Sequence, residues 1–247
     1  MKNRWISLAL GAVLGLAALS SWGQPATAPA MSPAEQNVRK LFVQRFGNVD
    51  IDGVSRTPYG LYEVRLGTTL LYTDDKVSYV LNGNLIDAAS KKNVTRERME
   101  QLLAVKFDEL PLNLAVKQVR GDGSRRMAVF EDPNCGYCKQ LRHSLQDVSN
   151  VTIYTFLYPI LAPDSSTKAR DVWCSSNPGQ AWDDWMLNGK TPPSGNCNAP
   201  LEAVLALGKK LNVTGTPTIF FGDDSRVSGA IPAAQLRARL DSMSKKS

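Results

Sequence analysis

The segment Cys135-Gly136-Tyr137-Cys138 constrains this chain more than any other, because of what flanks it. The apolar run Met127-Ala128-Val129-Phe130 before it reads as a strand, and Lys139 to Val148 after it reads as a helix. A strand, a short turn and two cysteines at a helix start make a dithiol that can be oxidised and reduced. The spacing brings the two sulfurs within bonding reach. It sets Cys135 at the exposed end of the helix and Cys138 one turn in, where it is more buried and less reactive. Backbone amides at a helix start point outward, and their partial positive charge favours a thiolate at Cys135, the form that attacks disulfides. The expected product is a mixed disulfide, released either by Cys138, which is net reduction, or by another substrate thiol, which is isomerisation.

A C-x-x-C is also half of a zinc site, which needs two further closely spaced ligands. The other cysteines, Cys174 and Cys197, stand far apart, and the only histidine, His143, lies on the same helix as Cys138. Five residues place it about 140° round that helix, poor geometry for sharing a metal. No metal or other cofactor is expected, and His143 reads as an exposed helix residue.

The N-terminus sets the redox compartment. Lys2 and Arg4 precede an apolar stretch from Ile6 to Leu19, followed by Ser20-Ser21-Trp22-Gly23 and a Pro/Ala/Thr-rich segment, Gln24 to Ala30. This is the layout of a secretory signal peptide over residues 1–23, with cleavage after Gly23 and Ser21 at the other small position. Its apolar core is shorter than the roughly 18–20 residues of a spanning helix; an uncleaved anchor is the competing reading. An exported, oxidising space follows. The chain has 4 cysteines, which permits the pairing Cys135–Cys138 and Cys174–Cys197 with none left over. The second pair reads as structural, since it lacks the helix-start surroundings that activate a thiol, and closing that loop would stabilise the fold by roughly 3 kcal/mol. The formal net charge is +6, two units of it from Lys2 and Arg4. Basic residues are scattered, without a Lys/Arg run interleaved with aromatics, so a solvated surface is expected and nucleic-acid binding is not.

Along the chain, Ser32-Pro33-Ala34-Glu35 reads as a helix start, with Val38, Leu41, Phe42 and Phe46 on one face and Gly47 at the end. Short β-like runs follow at 49–55, 59–66, 69–73 and 77–81, divided by Thr57-Pro58, Gly67, Asp74-Asp75 and Asn82-Gly83. Residues 24–92 thus form a small α+β module whose core is marginal by size. Association through a sheet edge would cover its unpaired strand groups, so a dimerisation domain is expected, with Tyr72–Val80 as the interface region. Residues 93–112 contain an amphipathic helix over Thr95–Phe107, capped by Thr95 or Asn93 and read as a linker, with packing on the second domain as the alternative.

Residues 113–247 run strand, strand, dithiol and helix, strand, a helical stretch carrying Cys174, Trp182, Trp185 and Cys197, then helix, two strands and a final helix, Ala233–Met243. This is the pattern of an α/β thioredoxin-like domain with a helical insertion. Trp173, Trp182 and Trp185 read as core of the insertion, with a peptide-binding patch as the alternative.

Gly215-Thr216-Pro217 precedes the strong strand Thr218-Ile219-Phe220-Phe221. X-Pro is the one peptide bond at which a cis form is cheap. In thioredoxin-like folds such a Thr-Pro is cis and faces the C-x-x-C, so the resemblance assigns Thr216 and Pro217, with Gly136 and Tyr137, to an active-site wall where an extended peptide can pair with the backbone at Thr216. With Asp132-Pro133-Asn134-Cys135-Gly136-Tyr137-Cys138 and Gly215-Thr216-Pro217 both in place, the chain resembles the DsbC/DsbG family of bacterial periplasmic disulfide isomerases over nearly everything after residue 23. Gly136-Tyr137 resembles the DsbC branch; the DsbG branch has Pro-Tyr. The resemblance implies Cys174–Cys197 as a structural disulfide, a V-shaped homodimer with an uncharged cleft, and a DsbD-like membrane protein that keeps the dithiol reduced. Thioredoxin itself has a buried acid six residues before its first cysteine, where this chain has Val129. Glu131 and Asp132 are the nearest carboxylates, read either as proton-transfer groups or as solvated strand-end residues.

The expected function is isomerisation or reduction of incorrect disulfides in misoxidised exported proteins. Two rivals stand beside it. One is a DsbG-like reductase of single cysteines oxidised to sulfenic acid, and the other is a holding chaperone that binds unfolded chains without chemistry.

Overall fold

Two antiparallel-rich sheets, each with its own helices and apolar core, organise residues 30–243, the residues described by this computed structural model. The expected signal peptide lies outside them. Helix α1 (Pro33–Phe46) starts at Ser32, whose Oγ accepts from Glu35 N while Glu35 Oε2 accepts from Ser32 N at 2.7 Å. This reciprocal cap satisfies two helix-start amides locally, which is why the helix boundary was readable. Glu35 Oε1 also accepts from Arg56 N, joining the helix to the first strand, β1 (Gly53–Arg56). Strands β2 (Tyr62–Leu66), β3 (Thr69–Thr73) and β4 (Val80–Asn82) continue an antiparallel meander in the order β1-β2-β3-β4. Val38 and Phe42 of α1 pack on Val54, Val64 and Leu71, whereas Phe46 is 51% exposed and stacks on Phe42 instead of entering the core.

Two expectations for this module change. Strand β3 is flanked on both sides and Tyr72 is buried, so of the expected interface region only the end at Val80 reaches a sheet edge. Helix α2 (Val94–Leu102) is capped by Asn93, whose side chain accepts from Arg96 N at 2.9 Å; Thr95 is buried, its hydroxyl shared between Tyr72 Oη and Leu85 N. The helix also stops five residues short of Phe107. Phe107 is fully buried in the second core, with its amide donating to Asp224 Oδ1 at 2.8 Å, and the chain must leave the helix to deliver that ring.

The second sheet has the order β5-β7-β6-β8-β9, formed by β5 (Val116–Arg120), β6 (Arg125–Glu131), β7 (Val151–Leu157), β8 (Thr218–Phe221) and β9 (Arg226–Ser228). Strands β6 and β7 are parallel and joined through helix α3 (Gly136–Leu145); the other pairs are antiparallel. Alternation along β6 sends Met127 and Val129 toward α3 and α7 (Ala233–Met243), and Ala128 and Phe130 toward the opposite layer with α6 (Leu201–Lys210). Helices α4 (Ser165–Trp173) and α5 (Pro178–Asn188) form the insertion, and Trp182 and Met186 pack there against Cys138 and Leu157. Cys174 and Cys197 form a disulfide across it, with Cα atoms 5.6 Å apart. Gly195 fits beside that bridge only because it lacks a Cβ, which would lie 2.5 Å from the Cβ of Cys174.

Candidate active site

Cys135 is the N-cap of α3, so its side chain sits where the first helical amides have no intrahelical partner. Its sulfur accepts from Cys138 N at 3.3 Å and, when it carries a proton, donates to the Thr216 carbonyl oxygen at 3.3 Å. The Thr216-Pro217 peptide is cis, and the sheet brings it from 81 residues away to face the dithiol. Both cysteines are free thiols. Cys135 was expected at an exposed helix end, yet it is only 4% exposed because the Thr216 backbone covers it; Cys138 is fully buried. Gly136 is exposed and Tyr137 is 65% exposed, at the lip of the site.

The two sulfurs differ sharply in acidity. A hydrogen bond from the Cys138 thiol, helped by helix-start amides and opposed by burial, lowers the Cys135 thiol to about 6. Burial pushes the Cys138 thiol far up, as do its hydrogen bond to Cys135 and the Glu131 carboxylate. At neutral pH, Cys135 is a thiolate and Cys138 a thiol, which is the division needed for one sulfur to attack and the other to wait.

Neither Glu131 nor Asp132 is a solvated strand-end residue; both are fully buried. Asp132 Oδ1 accepts from Asn134 N and Ser165 Oγ, and Oδ2 accepts from Ile160 N and Leu161 N. One carboxylate thereby ties the turn before Cys135 to the β7–α4 connection and to the first turn of α4. Asn134 reinforces the tie through Asp164, Ser165 and Lys168. Trp185 closes the other side, donating from Nε1 to Pro133 O at 2.6 Å while Lys139 and Lys168 lie over its ring. Its indole clamps the dithiol turn, a role that aromatic spacing along a helix does not reveal. His143 is exposed, and among the described residues no group of three His, Cys, Asp or Glu side chains could hold a metal. No helix among them is long and apolar enough to cross a membrane.

Comparison with known proteins agrees with this geometry. Residues 29–96 match the disulfide bond isomerase protein N-terminal domain, and residues 112–244 match a thioredoxin-like domain. The chain is 60% identical over 214 residues, 87% of its length and 77% of the relative's, to a probable thiol:disulfide interchange protein DsbC of Bordetella parapertussis. It is 27% identical over 236 residues to the thiol:disulfide interchange protein DsbG of Pseudomonas aeruginosa, covering 90% of this chain and 89% of that one. A crystal structure of a disulfide interchange protein from Neisseria gonorrhoeae superposes with a TM-score of 0.52 and 39% identity, over 54% of this chain and 97% of that one. With a cis-proline-faced dithiol of split acidity and homology along both modules, the chain belongs to the DsbC/DsbG family of periplasmic thiol:disulfide oxidoreductases.

Proposed function

We propose that this chain isomerises or reduces incorrect disulfides in exported proteins, with Cys135 as the nucleophile and Cys138 as the resolving thiol. The observation that carries the reading is the environment of Cys135: thiolate at neutral pH, at a helix start, against the Thr216 backbone. The Cys135 thiolate attacks one sulfur of a substrate disulfide and expels the other as a thiolate. In isomerisation a second substrate thiolate attacks the substrate sulfur of the mixed disulfide, making a new substrate disulfide and returning Cys135 with no net electron transfer. In reduction Cys138 attacks the Cys135 sulfur and releases the substrate thiolate. The Cys135–Cys138 disulfide so formed then takes two electrons from a DsbD-like membrane reductant. Gly136, Tyr137, Thr216 and Pro217 wall the site and dock an extended peptide, and Cys174–Cys197 braces the insertion.

In this reading residues 24–92 dimerise, 93–112 link and 113–247 catalyse, so that two dithiols face one cleft. The free edge at β4, with exposed Tyr79 and Leu81 beside it, supports association there. Exposed Tyr137, Ile160 and Leu161 near the dithiol turn favour a contribution from holding unfolded chains, whose apolar segments they would meet. Refolding of a scrambled multi-disulfide protein tests the whole reading. Cys135→Ala is expected to abolish recovery of native disulfides and Cys138→Ala to retain part of it while accumulating mixed disulfides; full recovery with Cys135→Ala would overturn the proposal.

A further inference from the structure

Beside the dithiol turn, one aromatic ring carries two cations that differ in what else holds them. Trp185 of α5 is half-buried and its Nε1 donates to Pro133 O at 2.6 Å, so the ring is fixed against the turn that leads into Cys135. Lys168 of α4 places its Nζ 4.5 Å from the ring centroid and donates to Asn134 Oδ1 at 2.8 Å, with Asp164 Oδ2 2.7 Å away. Its charge is met. Lys139 of α3 is half-buried too and places its Nζ 5.0 Å from the same centroid, but it forms no ion pair or side-chain hydrogen bond among the described residues. Asp184, beside Trp185 in sequence, is itself paired with Lys190 at 2.8 Å. An ammonium has three donors, and the face of an indole attracts its charge without accepting them as a carboxylate would. Lys139 follows Cys135 by four residues, its amide donating to Cys135 O at 3.1 Å, and side chains on a helix lean toward its N-terminus. The unmet cation therefore stands over the first turn of α3, the turn that carries the reactive sulfur.

We propose that Lys139, seated on Trp185, favours substrates that carry an acidic side chain next to the reacting cysteine. This rests on the reading of Cys135 as the nucleophile. The platform gives this ammonium two things that an ordinary surface lysine lacks. Its seat is fixed, so less side-chain freedom is lost when a carboxylate binds, and the ring on one side keeps water away, so the charge is screened less. A substrate cysteine must come up to Cys135 to react, and its neighbour along an extended chain is only about 3.5 Å further on. That neighbour falls within reach of a lysine side chain rising from the same helix turn. Ile160 and Leu161, tied to the dithiol turn through Asp132 and both exposed, add apolar contact, so the segment that fits is an acidic residue among apolar ones. The chemistry itself is unchanged. The Cys135 thiolate bonds to the substrate sulfur, the substrate disulfide breaks and its electron pair leaves on the other sulfur, while Lys139 acts only on the approach and holding of the chain.

Short peptides with a single cysteine, differing only in the residue next to it (Glu, Gln or Lys), test this as mixed disulfides with a chromogenic aromatic thiol. They are mixed with the reduced Cys138→Ala protein at about pH 8, where Cys135 is ionised. Attack on the peptide sulfur releases the coloured thiolate, and each rate is divided by that of the same peptide with 2-mercaptoethanol to remove its intrinsic reactivity. At low ionic strength the Glu peptide is expected to react about 3- to 5-fold faster than the Gln peptide and the Lys peptide more slowly, with the differences shrinking in high salt. Lys139→Gln should bring the Glu-to-Gln ratio to about one, Lys139→Glu should reverse the order, and Trp185→Leu, which unseats the ammonium, should lose most of the preference although Lys139 is still present. The ratio cancels any general loss of reactivity in these variants. Lys209→Gln, in the last turn of α6 across the sheet from α3, makes the same change in net charge and should keep the wild-type ratio. A wild-type ratio near one, a ratio undiminished in Lys139→Gln or Trp185→Leu, or an equal loss in Lys209→Gln would overturn the proposal. Failure of the underlying reading looks different: none of the three peptides would release its coloured thiolate.

Discussion

Cys135 and Cys138 share a motif, a helix and a core, yet three residues of separation move one sulfur to the helix start and the other into an apolar pocket. A thiol held near 6 ionises as pH rises through 6, so labelling of the reduced protein by iodoacetamide should rise through a midpoint at about pH 6 and then flatten. Cys138 stays protonated across this range, so one label per chain is expected, counted by mass spectrometry; a midpoint near the ordinary thiol value, or two labels in the folded protein, would contradict the split. This asymmetry was legible from the motif and its flanks, because helix-start electrostatics are local. The covering of Cys135 by Thr216 was not, since it depends on a contact between residues 81 apart in sequence. Glu131 and Asp132 were legible as nearby carboxylates and no more. A strand end shows nothing of what the insertion will lay over it, and their burial comes from Trp182, Ile160, Leu161 and Ser165.

The same distinction governs the elements. α1, β3 and β8 follow from signals inside their own segments: a capping box, a short apolar run between turn residues, and a proline before an apolar run. α2 breaks off early because Phe107 is claimed by a core built largely from residues 110 to 220, and no local feature of Thr95–Phe107 announces that. Asp132 is the point at which three connections depend on one another, since it accepts from the dithiol turn, the β7–α4 connection and α4 itself. Asp132→Ala leaves three buried or half-buried amides and a hydroxyl without their acceptor and should lower stability by about 2–4 kcal/mol, read as a fall in the urea midpoint with an unchanged slope. Asp132→Asn, which keeps one acceptor oxygen, should fall between. A loss below about 0.5 kcal/mol for the alanine variant would mean that these elements hold their positions without the carboxylate.

An isomerase must hold a misfolded substrate long enough for a second substrate thiol to find the mixed disulfide, whereas a reductase needs only Cys138. Two dithiols on one dimer would raise the effective concentration of binding surface around a single substrate chain, so association should matter far more to isomerisation than to reduction. The free edge at β4 offers the place: Tyr79, just before the strand, is 84% exposed and Leu81, within it, is 47% exposed, while the adjoining β3 is already paired on both sides. Replacing both by glutamate in the full chain puts like charges opposite each other across a symmetric contact and leaves the buried core of the module, Val38, Phe42, Val64 and Leu71, untouched. Sedimentation equilibrium should then report a monomer, with Cys135 labelling and reduction of a small disulfide at wild-type rates and refolding of a scrambled protein slowed by about tenfold or more. A dimer that persists would move the interface away from β4. A monomer with undiminished isomerisation would separate the activity from the N-terminal module, leaving the Cys135 environment and the apolar lip of Tyr137, Ile160 and Leu161 to account for it within one catalytic domain.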